Sequence, residues 1–153
     1  MRTFSRLVGF PGRLHRYDNS TKKWKYVQMQ GSRDKPVSLV LTGAAFYHRY
    51  FNHLYTHSMP QTIRDKVDAL MNCEDLAMNF LVSHVTRKPP LKVAKYREFP
   101  CQGCQGVALS RKADHAKERD DCVDSFAAVY GYMPLVETVF RIDAIFDDVR
   151  APT

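Results

Sequence analysis

The sequence predicts a mixed α/β domain. Three observations support this fold class. The run "VSLVLTG" (37–43) is apolar, rich in β-branched residues and ends at a glycine, which is typical of a buried strand. The segment "QTIRDKVDALM" (61–71) has the spacing of an amphipathic helix. At 153 residues, the chain has the size of one domain and can bury a substantial core.

The N-terminal third contains the strand signals. "RLVGF" (6–10) is strand-like and is followed by the turn pair "PG". "RLHRYDNSTKKWKYV" (13–27) is typical of a hairpin, with its turn near residues 18–20. "VSLVLTG" then provides a buried strand that ends at Gly43. Together these segments predict four strands before the first helix.

The middle of the chain predicts helices. "AAFYHRYFNHLYTH" (44–57) carries aromatic residues on every side, which favours a buried helix with Pro60 at the next boundary. In "QTIRDKVDALM", the expected inner face consists of Ile63, Val67, Leu70 and Met71.

The C-terminal third alternates between strands and a helix. "KPPLKVAKY" (88–96) breaks the preceding helix and supplies a short strand, and "PCQGCQGVALS" (100–110) is expected to be a loop. "ADHAKERDDCVDSFAAVYG" (113–131) predicts a helix that ends with Gly131 just past its last turn. "VFRIDAIF" (139–146) alternates well enough for a final strand.

Composition limits the class of protein. The net charge of +7 favours anionic partners, namely nucleic acid, phospholipid, sugar nucleotides or sulfated glycans. No apolar stretch reaches the roughly 18 residues of a membrane span. The basic N-terminus lacks the continuous apolar segment of a signal peptide, so it gives no indication of the compartment.

The four cysteines permit two interpretations. Cys73, Cys101, Cys104 and Cys122 could form disulfides, because their number is even. "CQGC" (101–104) also resembles half of a zinc site, which His115 and Cys122 could complete. "NST" (19–21) is a glycosylation sequon at Asn19 and is consistent with a secretory route.

The segment "NCEDLAMNFLV" (72–82) places two acids directly before an apolar run. Asn72 is a good helix N-cap, and Asp75 then falls at N3, where an acid can bond back to the cap. The positive end of the helix dipole also favours both acids. A carboxylate held in this way also suits a nucleophile, a base or a hydroxyl acceptor. Within the apolar run, Asn79 requires hydrogen-bond partners.

Four stretches carry a resemblance to a known family. "RLVGFPGRLHRYD" (6–18), "SLVLTGAAFYHRYF" (38–51), "NCEDLAMNFLVSHVTRKPP" (72–90) and "VYGYMPL" (129–135) resemble the exostosin-type glycosyltransferases of heparan sulfate synthesis, whose domain is glycosyltransferase family 64. The resemblance implies a GT-A-like fold with a mixed sheet. It also implies retaining transfer of N-acetylglucosamine from UDP-N-acetylglucosamine to an acceptor that ends in glucuronic acid, with manganese.

The family binds manganese through an Asp-x-Asp motif that precedes the "VGFPGRLH" stretch, and the sequence contains no such motif. We therefore expect residues 1–153 to be the C-terminal, acceptor-side portion of the domain, with the nucleotide-binding and metal-binding half absent. No metal site is expected in this chain. The chain alone should transfer no sugar and bind UDP with manganese weakly.

The resemblance also assigns roles to individual residues. Asp75 matches the proposed catalytic carboxylate, and Glu74 stands where the family has an acid that contacts substrate. Arg119, three residues before Cys122, matches a substrate-contacting arginine. We expect Asn72 to line the same pocket. Without the resemblance, Arg119 could equally be a surface residue of a helix paired with a neighbouring aspartate.

The family pairs the two cysteines that correspond to Cys73 and Cys122, which would bring Asp75 and Arg119 to one site. A pair between Cys101 and Cys104 is a further expectation. By the same resemblance, the chain would belong to a type II membrane protein of the Golgi or endoplasmic reticulum lumen, with its anchor outside this chain. Its partners would be the heparan sulfate acceptor and another exostosin subunit, with no nucleic acid.

Two other functions remain open at this stage. The first is a non-catalytic glycan-binding or partner-stabilising module of a heterodimeric exostosin complex. The second is a zinc-binding nucleic-acid module, which would require zinc bound through Cys101 and Cys104.

Overall fold

The structure is a computed structural model that describes residues 5–28, 35–94 and 114–143. Within these residues the chain folds into two β-sheets and a set of helices, which confirms the mixed α/β class. The strands are β1 (Val8–Gly9), β2 (Gly12–Asp18), β3 (Lys23–Val27), β4 (Leu39–Val40), β5 (Ala45–Phe46), β6 (Leu91–Val93) and β7 (Arg141–Ile142). The α-helices are α1 (Tyr50–His57), α2 (Gln61–Leu70), α3 (Glu74–Thr86) and α4 (His115–Tyr130).

One sheet has the strand order β5-β1-β6-β7. In it β1 runs parallel to β6, and β6 runs parallel to β7, whereas β5 is an antiparallel edge strand. The parallel partners β1 and β6 are far apart in sequence, and the helices α1 to α3 lie between them along the chain. This crossover is what parallel pairing requires.

The other sheet has the order β3-β2-β4, and its hairpin β2–β3 confirms the predicted turn at 18–20. The outer strand β3 is an edge, but its outward N–H groups are satisfied by carboxylates of α4. Asp120 accepts a hydrogen bond from the N–H of Tyr26 at 2.8 Å, and Asp124 accepts one from the N–H of Trp24 at 2.9 Å. These bonds protect the edge and align β3 along α4.

The predicted aromatic helix was partly wrong. Residues 45–46 form β5 and the helix begins only at Tyr50, and among the residues of α1 only Phe51 is buried. An eight-residue helix with one buried side chain is a surface helix, so aromatic content alone did not indicate burial. In α2, Ile63 and Val67 face the core as predicted, whereas Met71 follows the helix in a left-handed conformation and is exposed.

The hydrophobic core centres on α3, which is buried continuously over residues 75–83. Its Phe80 packs edge-on against Phe126 of α4, with 5.7 Å between the ring centroids. A helix that is buried on every side belongs to the centre of a domain. Within the described residues, no helix is long and apolar enough to cross a membrane.

Asn79, the one amide in the apolar run of α3, joins that helix to β4. Its Oδ1 accepts the N–H of Val40 at 3.0 Å, and its Nδ2 donates to the Val40 carbonyl at 2.8 Å and to the Asp75 carbonyl at 2.7 Å. The buried side chain therefore has its partners, and it holds the start of α3 against the sheet.

We expect Asn79→Ala to lower the free energy of unfolding by about 2–3 kcal/mol, because the Val40 N–H and carbonyl would be left buried without partners. Urea denaturation would measure this difference. Asn52→Ala, at an exposed position of α1, is the matched control and should change the free energy by less than about 0.5 kcal/mol. Equal effects of the two substitutions would contradict the role given to Asn79.

A second prediction concerns His15 on β2. Its ring is buried, and its Nδ1 lies 2.7 Å from the Ser38 hydroxyl. Burial, and then the neighbouring Arg16, lower the pKa of His15 from 6.5 to about 4. The unfolded chain therefore binds this proton more tightly than the folded chain, so His15 destabilises the fold as the pH falls from 6.5 towards 4.

Lowering the pH from 7 to 5 should cost about 2 kcal/mol of folding free energy through this residue. The measurement is urea denaturation at both pH values for the wild type and for His15→Asn, which should lose less stability between them. His53→Asn, an exposed histidine of α1, serves as control and should leave the wild-type pH dependence unchanged. A variant at position 15 that loses as much stability as the wild type would contradict this assignment.

Candidate functional site

The site lies at the start of α3, at the two consecutive acids Glu74 and Asp75, called here the acidic step. Here the predicted helix cap was wrong: the helix begins at Glu74, and the residue at the N-cap position is Cys73, in a left-handed conformation with φ of 73°. Asn72 does not cap the helix, because its Oδ1 accepts the N–H of the adjacent Cys73 at 2.8 Å. Asp75 is the second residue of the helix, and its Oδ1 accepts the N–H of Leu76 at 2.8 Å.

Asp75 and Arg119 form a buried ion pair. The Arg119 Nη2 donates to the Asp75 Oδ2 at 2.6 Å, and the two side chains are 7% and 6% exposed. Arg119 is therefore not a surface arginine paired with its helix neighbours. Burial lowers the pKa of Arg119, but Asp75, Tyr26 and Glu74 together outweigh that effect and the net shift is upward. The guanidinium remains a fixed positive charge beside a carboxylate.

An aromatic ring covers the guanidinium. The ring of Tyr26 on β3 lies 4.4 Å from the Arg119 guanidinium carbon, a cation–π contact. The Tyr26 hydroxyl accepts a hydrogen bond from the Arg13 Nε at 2.9 Å. Burial raises the pKa of Tyr26. The phenol is therefore neutral and serves as a packing surface and hydrogen-bonding group.

One donor nitrogen of Arg119 has no partner within the described residues. Its Nη2 bonds to Asp75 and its Nη1 to the Asn72 Oδ1 at 3.4 Å, but its Nε is buried and has no hydrogen-bond partner within the described residues. Buried N–H groups normally have partners, and orphans are often found at sites that bind a ligand or water.

Asn72 connects the start of α3 to the start of α4. Its Nδ2 donates to the Glu118 Oε2 at 2.8 Å and lies 3.1 Å from the His115 Nδ1. Burial, and then the positive charge of Arg119, lower the pKa of His115. Asn72 therefore lies beside the ion pair, as expected, and its neighbours include a histidine that sequence reasoning had considered only as a zinc ligand.

The disulfide pairing is confirmed. Cys73 and Cys122 are bonded to each other across 49 residues. Because Cys73 precedes the acidic step and Cys122 follows Arg119 by one turn, the bridge fastens the two halves of the ion pair together. Cys122 is therefore not a zinc ligand in this state. Cys101 and Cys104 lie outside the described residues.

The other predicted site residues, Glu74 and Asn19, are exposed. Glu74 is exposed at the first position of α3 and contributes to the electrostatic environment of Tyr55, whose pKa burial and this carboxylate raise to about 12. Asn19 is exposed in the β2–β3 turn. In that turn Asp18 accepts hydrogen bonds from the hydroxyls of Ser20 and Thr21, which lower its pKa to about 2.

Sequence reasoning missed Tyr26 and Arg13. The only available signal was "KWKYV", in which aromatic residues at 24 and 26 alternate with lysines and so point to one face of the strand. That face proved to be the one facing α4. Within the described ranges, no group of three or more histidine, cysteine, aspartate or glutamate side chains could hold a metal ion.

Comparison with known proteins identifies the family. A family model described as "Glycosyl transferase family 64 domain" matches residues 2–146. The chain belongs to glycosyltransferase family 64. The family 64 match includes both partners of the buried ion pair and the disulfide that joins their segments.

Three curated relatives show how far the similarity extends. Exostosin-2 of Homo sapiens and Exostosin-2 of Mus musculus are each 50% identical to the chain over 141 residues, which are 92% of this chain and 19% of the relative. Exostosin-1 of Bos taurus is 44% identical over 143 residues, again 92% of this chain and 19% of the relative. The family 64 chain thus spans about a fifth of the length of the curated relatives it matches.

Proposed function

We propose that this chain forms the acceptor-side part of a retaining N-acetylglucosaminyltransferase of heparan sulfate synthesis. The donor would be UDP-N-acetylglucosamine, and the acceptor a glycan that ends in glucuronic acid. The observation that supports this most is the buried pair of Asp75 and Arg119 at the N-terminus of α3 in a family 64 domain.

The proposed chemistry uses the charge of Asp75. During transfer, the bond between the donor's anomeric carbon and the diphosphate breaks while the acceptor hydroxyl oxygen forms the new bond. The anomeric carbon becomes positively charged, and a nearby carboxylate can attack it or stabilise it as an ion pair. The Asp75 carboxylate lies 2.6 Å from the Arg119 guanidinium, and the positive end of the α3 dipole favours a negative charge at this position. The proton of the acceptor hydroxyl is carried away by the departing diphosphate oxygen.

Arg119 is suited to hold an anion. Its unused Nε–H can donate to an oxygen of the diphosphate or of the acceptor carboxylate. The Tyr26 ring on one side and Asp75 on another restrict the guanidinium to one orientation. A positive group in a fixed position stabilises negative charge on the leaving group without reorganisation.

The described residues do not fit a manganese site, since they contain no suitable cluster of ligands. We therefore derive no step through the metal. Manganese binding through an Asp-x-Asp motif, pairing with another exostosin subunit and a Golgi or endoplasmic reticulum location remain part of the proposal.

A second candidate function is non-catalytic glycan binding or partner stabilisation. The observation that favours it is the burial of Asp75, whose side chain is only 6% exposed and already paired. A carboxylate in this position could serve the fold alone.

The test is a transfer assay on a full-length exostosin-type protein that contains this chain. With UDP-N-acetylglucosamine and a glucuronic acid-ended oligosaccharide, the product should carry a new α-linked N-acetylglucosamine, detected by NMR. A β-linked product would contradict retention, and acceptor binding without transfer would support the second candidate. The 153-residue chain alone is expected to show no transfer.

A further inference from the structure

A cavity of about 330 Å³ lies between β3, the β2–β3 turn and the second half of α4, away from the ion pair. This volume falls in the range of small-ligand sites, roughly 300–1,000 Å³. Its lining includes three aromatic rings, one lysine and one aspartate, namely Tyr17, Trp24, Tyr132, Lys22 and Asp124.

The cavity lies along the same strand and helix as the ion pair. Trp24 is two residues from Tyr26 on β3, so both side chains lie on one face, about 7 Å apart along the strand. On α4, Asp124 follows Arg119 by five residues, a rise of about 7.5 Å in the same direction. The backbone N–H groups of Tyr26 and Trp24 donate to Asp120 and Asp124, and these bonds fix the position of the strand along the helix.

The aromatic rings form a fixed platform. Trp24 makes an edge contact with Tyr17, with 5.1 Å between the ring centroids. The Tyr132 hydroxyl lies 2.7 Å from the His84 Nδ1 and accepts a hydrogen bond from Arg87. Rings held by their neighbours lose little side-chain freedom on binding, and their apolar faces suit the C–H face of a sugar ring.

The polar groups complete the cavity. Asp124 uses Oδ1 to accept the Trp24 N–H, and its other oxygen has no partner within the described residues, so it can accept a sugar hydroxyl. Lys22 lies in the exposed turn with φ of 55°. Within the described residues, its ammonium group makes no hydrogen bond or ion pair. Its ammonium group can pair with a carboxylate.

We propose that this cavity is a subsite for a sugar of an acidic oligosaccharide, one or more units away from the reacting end. A uronic acid fits this chemistry, because it combines an apolar ring face for Trp24 and Tyr17 with a carboxylate for Lys22. The inference rests on the proposed function, because it assigns the cavity to the acceptor of that reaction.

Trp24 is the only tryptophan in the chain, so its fluorescence reports directly on the cavity. The experiment titrates the 153-residue chain with a hexasaccharide of alternating glucuronic acid and N-acetylglucosamine. We expect a saturable change in emission. The neutral hexamer of N-acetylglucosamine and the polyanion dextran sulfate should each bind at least about tenfold more weakly.

Two variants test the cavity itself. Lys22→Ala and Tyr17→Ala should each weaken binding of the hexasaccharide about tenfold, which corresponds to the loss of one good contact. Lys23→Ala removes the same charge at the next position, which does not line the cavity, and should change affinity less than about twofold. Unchanged melting temperatures would show that all three variants are folded.

An absence of any saturable change would overturn the inference. It would also be overturned if Lys23→Ala weakened binding as much as Lys22→Ala, or if dextran sulfate bound as tightly as the hexasaccharide. Failure of the subsite remains distinguishable from failure of the proposed function. A transferase that loses activity with Asp75→Asn but keeps its acceptor KM with Tyr17→Ala would disprove only the subsite.

Discussion

Asp75→Asn is expected to destabilise the domain by about 3–5 kcal/mol, because it leaves the buried guanidinium of Arg119 without its counter-charge. For a domain of this size, that loss corresponds to a fall in melting temperature of roughly 10 °C. The sequence alone predicts only the loss of a helix-dipole interaction, about 0.3–1 kcal/mol. In the full-length transferase, the same substitution should also lower turnover by several powers of ten, each equal to about 1.4 kcal/mol of barrier.

Because Asp75→Asn impairs the fold, its activity loss alone does not prove a catalytic role. The control is a double variant, Asp75→Asn with Arg119→Met, which removes both charges and replaces the guanidinium stem with a flexible apolar side chain beside Tyr26. Removing both charges together avoids the uncompensated buried charge that makes the single substitution costly. We therefore expect the melting temperature of the double variant to recover to within a few degrees of the wild type. A double variant as unstable as Asp75→Asn would contradict this account of the pair.

Loss of the disulfide should have a comparable effect on stability. Replacing Cys73 and Cys122 by alanine opens a loop of about 50 residues, and the chain-entropy treatment gives a loss of about 4 kcal/mol. Because the bridge fastens the start of α3 to α4, the opened chain should also hold Asp75 and Arg119 together less firmly. The measurement is the free energy of unfolding by urea.

A reductant provides the matched control for the disulfide prediction. It should lower the stability of the wild type towards that of the double alanine variant and change that variant much less, because at most the short-loop pair expected between Cys101 and Cys104 remains there to be reduced. A wild type whose stability does not respond to full reduction, verified by thiol titration, would contradict the role given to the bridge.

The elements predicted best were those with strong local signals. Turn residues predicted the hairpin β2–β3, and amphipathic spacing predicted the helix α2. A glycine predicted the end of α4, and Gly131 adopts a φ of 73° there. The aromatic segment before Pro60 was predicted less well, because residue type alone does not determine which helix is buried.

The site was predicted through resemblance, but its geometry was not. The left-handed conformation of Cys73 moves the helix start by one residue, and no local pattern of "NCED" indicates this shift. The contacts that Tyr26 and Arg13 make at the site depend on the packing of a sheet against α4. Tyr26 and Arg119, which are in contact, lie about 93 positions apart in the sequence. Such contacts are set by tertiary structure and leave no periodic signal in one sequence.

The central claim is that Asp75 and Arg119 take part in sugar transfer and are not only a structural pair. The most direct measurement is the turnover number of the Asp75→Asn, Arg119→Met double variant in the full-length transferase. The assay is run at a temperature at which both the variant and the wild type are fully folded. The account predicts that this stable variant transfers N-acetylglucosamine at least a thousandfold more slowly than the wild type. Transfer at close to the wild-type rate would contradict it and leave the buried pair as a structural feature of the fold.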